Sequence, residues 1–205
     1  MNATTPSSLP ARGPADHAVR EQIVEAAREH FSRYGYEKTT VSDLAKSIGI
    51  SKAYIYKFFD SKQAIGEAIC VKTLSGIVTA VEEAVAGATT PTEKLRKLFK
   101  TLVVTGVDLF FSDRKLYDIA AHAAGEQWPS ARAYCERIGQ ILAEIIREGR
   151  ESGEFERKTP LDETIRAIDL VVQPYVNPLL LQYSLEVADE VPAQLSNLVL
   201  RSLAP

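Results

Sequence analysis

The chain has 205 residues, 45% of them hydrophobic, and a formal net charge of −3. That is enough apolar material for one large domain, or a small and a medium one, and it excludes wholesale disorder. No apolar run approaches the ~20 residues of a membrane helix, and two cysteines without CxxC spacing, Cys70 and Cys135, point to reduced thiols in a cytoplasmic protein.

Residues 1–16 are rich in Pro, Ser and Thr, lack a basic start and an apolar core, and read as a disordered tail and not a signal peptide. From residue 17 the pattern is helical. Val19, Ile23, Ala26, Ala27, Phe31 and Tyr34 form one apolar stripe, closed by Gly35. Thr40 and Asp43 make a Thr-x-x-Asp start, in which both side chains serve free N–H groups of a first helical turn. Val41, Leu44, Ala45 and Ile48 then fall on one face, and Gly49 supplies a left-handed stop. Ser51 caps a second short helix with Ile55, Phe58 and Phe59 inward, leaving Lys52, Ala53, Tyr54, Tyr56 and Lys57 to face elsewhere. Asp60 and Ser61 cap a further helix that begins with Ala64, Ile65, Ala68 and Ile69. Two short helices joined at a glycine, the second carrying lysines and tyrosines outward, form the layout of a helix-turn-helix.

The run Arg20-Glu-Gln-Ile-Val-Glu-Ala-Ala-Arg-Glu-His-Phe31, then Tyr34-Gly-Tyr-Glu-Lys-Thr-Thr-Val41, the helix-turn-helix, and Phe58-Phe-Asp-Ser-Lys62 resemble the N-terminal domain of the TetR family of bacterial transcriptional repressors. The resemblance implies an all-α fold of about nine helices, with a three-helix DNA-binding head over 17–66 and a ligand-binding and dimerisation body over 67–205. It also implies a homodimer on a palindromic DNA operator, released by a small-molecule inducer and needing no cofactor or metal. Tyr56, Lys57 and Lys62 resemble backbone-contacting positions of the family. Thr40, at a helix N-terminus, suits a phosphate. Ser51, Lys52, Ala53 and Tyr54 begin the recognition helix, where base edges come within reach. The alternative is a ligand-independent or activating regulator whose body serves only dimerisation or partner docking.

The net negative charge does not oppose DNA binding. Residues 1–70 carry nine Lys/Arg against eight Asp/Glu, whereas 71–205 carry fifteen against nineteen. Phosphate binding responds to local cations such as Lys38, Lys46, Lys52, Lys57 and Lys62, and not to the total.

Further along, a long helix is expected from Ser61 to about Ala86, and another from Thr90-Pro91 to Phe111. A short helix follows over 115–124 and a longer one through Tyr134, Ile138, Ile141, Leu142, Ile145 and Ile146 to Ser152-Gly153. Thr159-Pro160 reads as a cap with proline at the first helical position. The helix it opens meets Pro174 and Pro178, and a final helix runs from about Val191 to Leu203. Residues Leu116 to Phe155 loosely resemble a subset of TetR-like C-terminal domains, through Glu126-Gln-Trp-Pro129 and Glu148-Gly-Arg-Glu-Ser-Gly-Glu-Phe155.

Phe110, Tyr117, His122, Trp128, Gln173, Tyr175, Asn177 and Tyr183 are candidates for an apolar pocket with a few polar groups, suited to a small apolar or aromatic inducer. Ile165, Ile168, Val172, Leu179, Leu195, Leu198 and Val199 are candidates for the dimer interface, with Leu180, Leu181 and Leu203 beside them. An enzyme is not expected. The histidines are His17, His30 and His122, and no HExxH, GxSxG or glycine-rich phosphate loop is present.

Overall fold

The computed structural model describes residues 14–205, so the tail expected over 1–16 lies almost wholly outside the described residues. Among them there are ten α-helices, a short 3₁₀ helix at Leu185–Val187 and no strand.

Three helices make the head: α1 (Pro14–Tyr34), α2 (Val41–Ile48) and α3 (Lys52–Ile55). The α1 stripe buries Ile23, Ala27 and Phe31 against Leu44, Ile55 and Phe59. Tyr34, expected in that stripe, is instead 54% exposed, while Tyr36 in the following loop is 8% exposed. Gly35 ends α1 with φ +88°, and this reversal turns the next aromatic inward. The cap expected at Thr40 is a complete capping box: Thr40 Oγ1 accepts the Asp43 N–H at 3.2 Å and the Asp43 carboxylate accepts the Thr40 N–H at 2.9 Å. Gly49 sits at φ +75°, where an L side chain is strained.

Helix α4 (Lys62–Ala86), capped by Ser61, runs about 37 Å from head to body at ~1.5 Å per residue. Its length and hydropathy are those of a helix able to cross a membrane, which corrects the reading that no such run exists. Its apolar character has a different use here. Ile65, Ile69, Leu74, Ile77 and Val81 are buried, and the helix packs against α1, α5 (Pro91–Ser112), α6 (Arg114–Gly125) and α7 (Pro129–Ser152).

Thr90 and Asp113 cap α5 and α6 through the N–H groups of Glu93 and Leu116. Helix α7 stops at Gly153 (φ +82°), after which Phe155 folds back over Gly149, where a Cβ would collide with its ring. The corner into α8 (Leu161–Val176) departs from expectation. Pro160 is itself the cap residue, and Thr159 gives α8 no side-chain cap. The corner is held from outside the helix. The Arg150 guanidinium donates to the Thr159 carbonyl at 2.8 Å and to Thr164 Oγ1 at 3.0 Å, and lies 3.6 Å from Glu156. Hydrogen bonds from Thr159 hold the Glu156 carboxyl below its ordinary range.

Only Pro174 lies inside α8. Pro178 opens a four-residue helix, α9 (Pro178–Leu181), at its first position, where the missing N–H costs nothing, and Asn177 caps it through the Leu179 N–H at 2.9 Å. Helix α9 lies along α6, and α10 (Val191–Ser202) closes the chain against α5.

Candidate functional site

The recognition helix is short. After Ile55 the chain continues in tight turns, with Lys57 N–H bonded to the Tyr54 carbonyl and Phe58 N–H to the Ile55 carbonyl. Ile55 (0% exposed) and Phe59 anchor it in the head core. Ser51, Lys52, Ala53, Tyr56 and Lys57 are exposed, and Tyr54 is half-buried with its ring edge-on to Phe58 at 5.4 Å. Lys52 Nζ lies 5.7 Å from the Tyr56 ring centre and Lys57 Nζ lies 5.5 Å from that of Tyr54. Each lysine thus leans on a tyrosine one turn away, which limits its freedom and keeps two cations with two phenol hydroxyls on one surface.

Two expected contacts are engaged inside the protein. Thr40 Oγ1 donates to the Asp43 carboxylate at 2.6 Å, so hydroxyl and carboxylate serve each other at the start of α2. The bonds from the Thr40 side chain and backbone hold the Asp43 carboxyl below its ordinary range. Lys62 donates to the Tyr36 carbonyl at 3.1 Å and covers the Tyr36 ring at 4.2 Å, tying α4 to the α1–α2 loop. Behind this edge Thr39 is buried and donates to the Gly35 carbonyl at 2.8 Å, with His30 Nδ1 3.3 Å from its hydroxyl. The sequence does not single out Thr39 and Tyr36, because nothing in local periodicity separates a buried loop residue from an exposed one, nor the half-buried His30 on α1.

His122 and Trp128, read as pocket residues, sit at the joint between head and body. The Tyr36 ring lies 5.3 Å from His122 and 5.5 Å from Trp128, and those two rings are 5.3 Å apart. His122 Nδ1 is 3.3 Å from the Glu37 carboxylate. The indole covers Gly66 of α4, where an added Cβ would meet it at 2.9 Å. At the other end of α6, Asp113 accepts a hydrogen bond from Ser32 at 3.3 Å and lies 4.0 Å from Arg28, both on α1. Helix α6 therefore grips the head at both of its ends.

Between α6, α7 and α8 lies a chamber of about 270 Å³. Gln173 and Asn177 line it as expected residues, while Phe110, Tyr117 and Tyr175 form a separate cluster with Leu181 and Leu185, where the Tyr117 hydroxyl donates to the Pro178 carbonyl. Tyr183 is 81% exposed. Tyr134, expected only on the apolar stripe of its helix, also lines the chamber, as do Ala120 and Ala124, for which the sequence gives no pocket signal.

The dimer candidates divide. Ile168, Val172 and Val199 are buried in the protein's own core, and Ile165 and Leu195 pack partly buried against it. Leu179 and Leu198 are exposed, together with Leu170 (62%), Val171 and Leu180, which sit on the opposite faces of the same helices or beside them.

A capped helix-turn-helix on a three-helix head, joined by a long core helix to an all-helical body, defines a DNA-binding transcriptional regulator. Residues 23–69 match the bacterial regulatory proteins of the tetR family, and 91–199 match the tetracyclin repressor-like C-terminal domain. The chain belongs to the TetR family. It is 45% identical over 49 residues to the biofilm operon icaADBC HTH-type negative transcriptional regulator IcaR of Staphylococcus aureus (strain Newman), a match covering 24% of this chain and 26% of that protein. The chain thus spans about a quarter of the length of that curated relative. Among solved structures it is similar to the TetR family transcriptional regulator PfmR from Thermus thermophilus, with 30% identity, 91% and 97% of the two chains covered and a TM-score of 0.61. It is also similar to Thermus thermophilus FadR, a transcriptional repressor in complex with lauroyl-CoA, with 25% identity, 91% and 95% covered and a TM-score of 0.64.

Proposed function

We propose that the protein is a homodimeric repressor that reads a palindromic operator and leaves it when a small, mostly apolar ligand enters the body. The observation that carries this reading is the two-ended grip of α6 on the head, since the same helix lines the chamber through Ala120 and Ala124. A ligand that favours one position of α6 would alter the pose of the head, within the limit set by its differential affinity for the two states.

In this reading the head spans about 17–66. Lys52, Ala53, Ser51 and Tyr54 face base edges, and Tyr56 and Lys57 hold phosphates. Thr40 and Lys62 join the backbone contacts once DNA competes for their present partners, Asp43 and the Tyr36 carbonyl. One such head has too small a footprint for specificity, and two at fixed spacing supply it. The partner surface is the exposed set Leu170, Val171, Leu179, Leu180 and Leu198, not the buried residues of the same helices. The lauroyl-CoA complex of the Thermus relative makes acyl chains the first ligand class to test.

The test begins with selection of bound fragments from the source genome, followed by fluorescence anisotropy on the recovered operator. Lys52→Ala should narrow the gap between operator and random DNA, whereas Lys57→Ala should weaken both and lower the salt slope by about one. Equal losses on both DNAs from both variants would defeat the assignment. A recovered operator whose affinity no ligand of the panel alters would favour the regulator whose body serves only dimerisation or docking.

A further inference from the structure

We propose that Tyr134 is the polar anchor of the chamber, and that the ligand it selects is a compact, mostly apolar molecule carrying one neutral hydrogen-bond acceptor such as a ketone, ester or ether oxygen. The inference rests on the reading of the chamber as a ligand site and names the chemistry of that site.

Tyr134 stands on the inner face of α7 and is only 6% exposed. It lines the chamber, and its hydroxyl has no hydrogen-bond partner among the described residues. The more deeply buried Tyr117 makes the contrast, because its hydroxyl donates to the Pro178 carbonyl. The Tyr134 hydroxyl is not among the sealed, unpaired polar atoms of the described residues, which are Glu67 Oε1, Ser130 Oγ and Arg150 Nε, so it opens on cavity space where a ligand can reach it. Burial also pushes the Tyr134 phenol well above its usual range, so it is a neutral O–H donor at any physiological pH. As a neutral O–H with no protein partner it is free to donate to a ligand acceptor.

The walls decide the rest of the ligand. Leu74, Ala120, Ala124 and Ala131 supply apolar surface, and the three alanines leave the space that larger side chains would fill. The charged lining groups, Arg132 and Glu136, are exposed, of opposite sign and one turn apart on α7, so neither offers a buried counter-charge. A carboxylate placed beside Tyr134 would lose hydration with only the exposed Arg132 to answer it, which disfavours a buried anionic head. The volume of about 270 Å³ lies just below the ~300–1,000 Å³ usual for small-molecule sites, which suits a compact ligand. A longer ligand would have to extend through the polar mouth at Gln127 and Gln173.

Leu74 and Tyr134 also wall a groove of about 230 Å³ between α4 and α7, so the experiment must show which side of the tyrosine is used. Calorimetry would compare three probes of similar size: butylbenzene (apolar), butyrophenone (one neutral acceptor) and phenylbutyrate (anionic). Butyrophenone should bind the full-length protein most tightly. Tyr134→Phe should weaken it about 3- to 10-fold, the range for one lost hydrogen bond, and leave butylbenzene within about twofold. Ligand-free Tyr134→Phe should melt no lower than the parent, because the deleted hydroxyl has no partner to lose. Ala124→Leu, or Ala120→Val should the first lower the melting temperature, fills the chamber side alone and should block all three probes.

Equal butyrophenone affinity for parent and Tyr134→Phe would overturn the proposal. So would tighter binding of phenylbutyrate, binding that survives both chamber-filling variants, or no binding by any probe. Operator anisotropy separates this inference from the reading beneath it. If butyrophenone binding depends on Tyr134 but operator affinity does not move, the anchor stands and release by that ligand fails. If release occurs with equal potency in Tyr134→Phe, the regulator stands and the anchor fails.

Discussion

Gly66 and Gly76 lie on the same helix, and the structure assigns opposite signs to their replacement by alanine. Nothing lies within 4 Å of a Cβ added at Gly76, so Gly76→Ala should gain the ordinary advantage of alanine in a helix, about 0.5–1 kcal/mol. A Cβ at Gly66 would stand 2.9 Å from two atoms of the Trp128 indole and 3.1 Å from the Tyr36 ring. Both rings are buried, so neither can swing into solvent. Overpacking of this kind costs about 1–3 kcal/mol, which outweighs the helical gain and leaves Gly66→Ala destabilised by up to about 2 kcal/mol. At ~2–4 °C per kcal/mol for a chain of this size, the two variants should melt several degrees apart. Trp128 is the only tryptophan, so its fluorescence reports the joint directly, and circular dichroism reports the whole chain. Trp128→Phe should relieve the clash, with a coupling of at least ~0.5 kcal/mol in the double-mutant cycle. Stabilisation of Gly66→Ala equal to that of Gly76→Ala, or strict additivity with Trp128→Phe, would refute the packing argument.

Other outcomes follow from the same geometry. Thr40→Ala should lower stability by about 1 kcal/mol and weaken operator binding, read by urea denaturation and anisotropy. The Asp43 carboxyl is held below its unfolded value by hydrogen bonds from Thr40. Its contribution is therefore fully present above the ordinary carboxylate pKa and is lost as pH falls through the lower folded value; a pH series of parent against Asp43→Asn should converge in acid. Cys135 is exposed, whereas Cys70 is buried and its thiol is pushed up to about 12 by desolvation, so one equivalent of thiol reagent should react in the native state and the second only on unfolding. Mass spectrometry that found Cys70 labelled first would contradict the burial. Leu170→Glu or Leu198→Glu should lower the sedimentation mass of the assembly, while Ile168→Ala should cost about 2–5 kcal/mol of stability without changing the partner surface.

What was legible in the sequence was local. The Thr40–Asp43 box, the Gly49 stop and the Ser51 cap each depend on groups within a few residues, and hydrogen bonds at that range follow from residue type and spacing. The stripes of α4 and α7 were legible for the same reason. Where one helix carries apolar residues on two faces, periodicity shows both and ranks neither. That is why Ile168 and Val172 were grouped with Leu198 as interface, although only Leu198 faces out. The cap placed at Thr159 failed because Arg150 and Glu156 satisfy that corner from the neighbouring loop and helix.

The chain by itself determined the helix-turn-helix, its caps, the long α4 and the order of the helices, because these are matters of backbone propensity and burial at short range. Only the tertiary structure decided what His122, Trp128 and Tyr134 do. Two of them close on Tyr36 and Gly66 at the joint, and the third faces a chamber floored by alanines from another helix. Which partner a buried aromatic meets depends on how helices distant in sequence cross, and a one-dimensional pattern of apolar residues carries no record of that crossing.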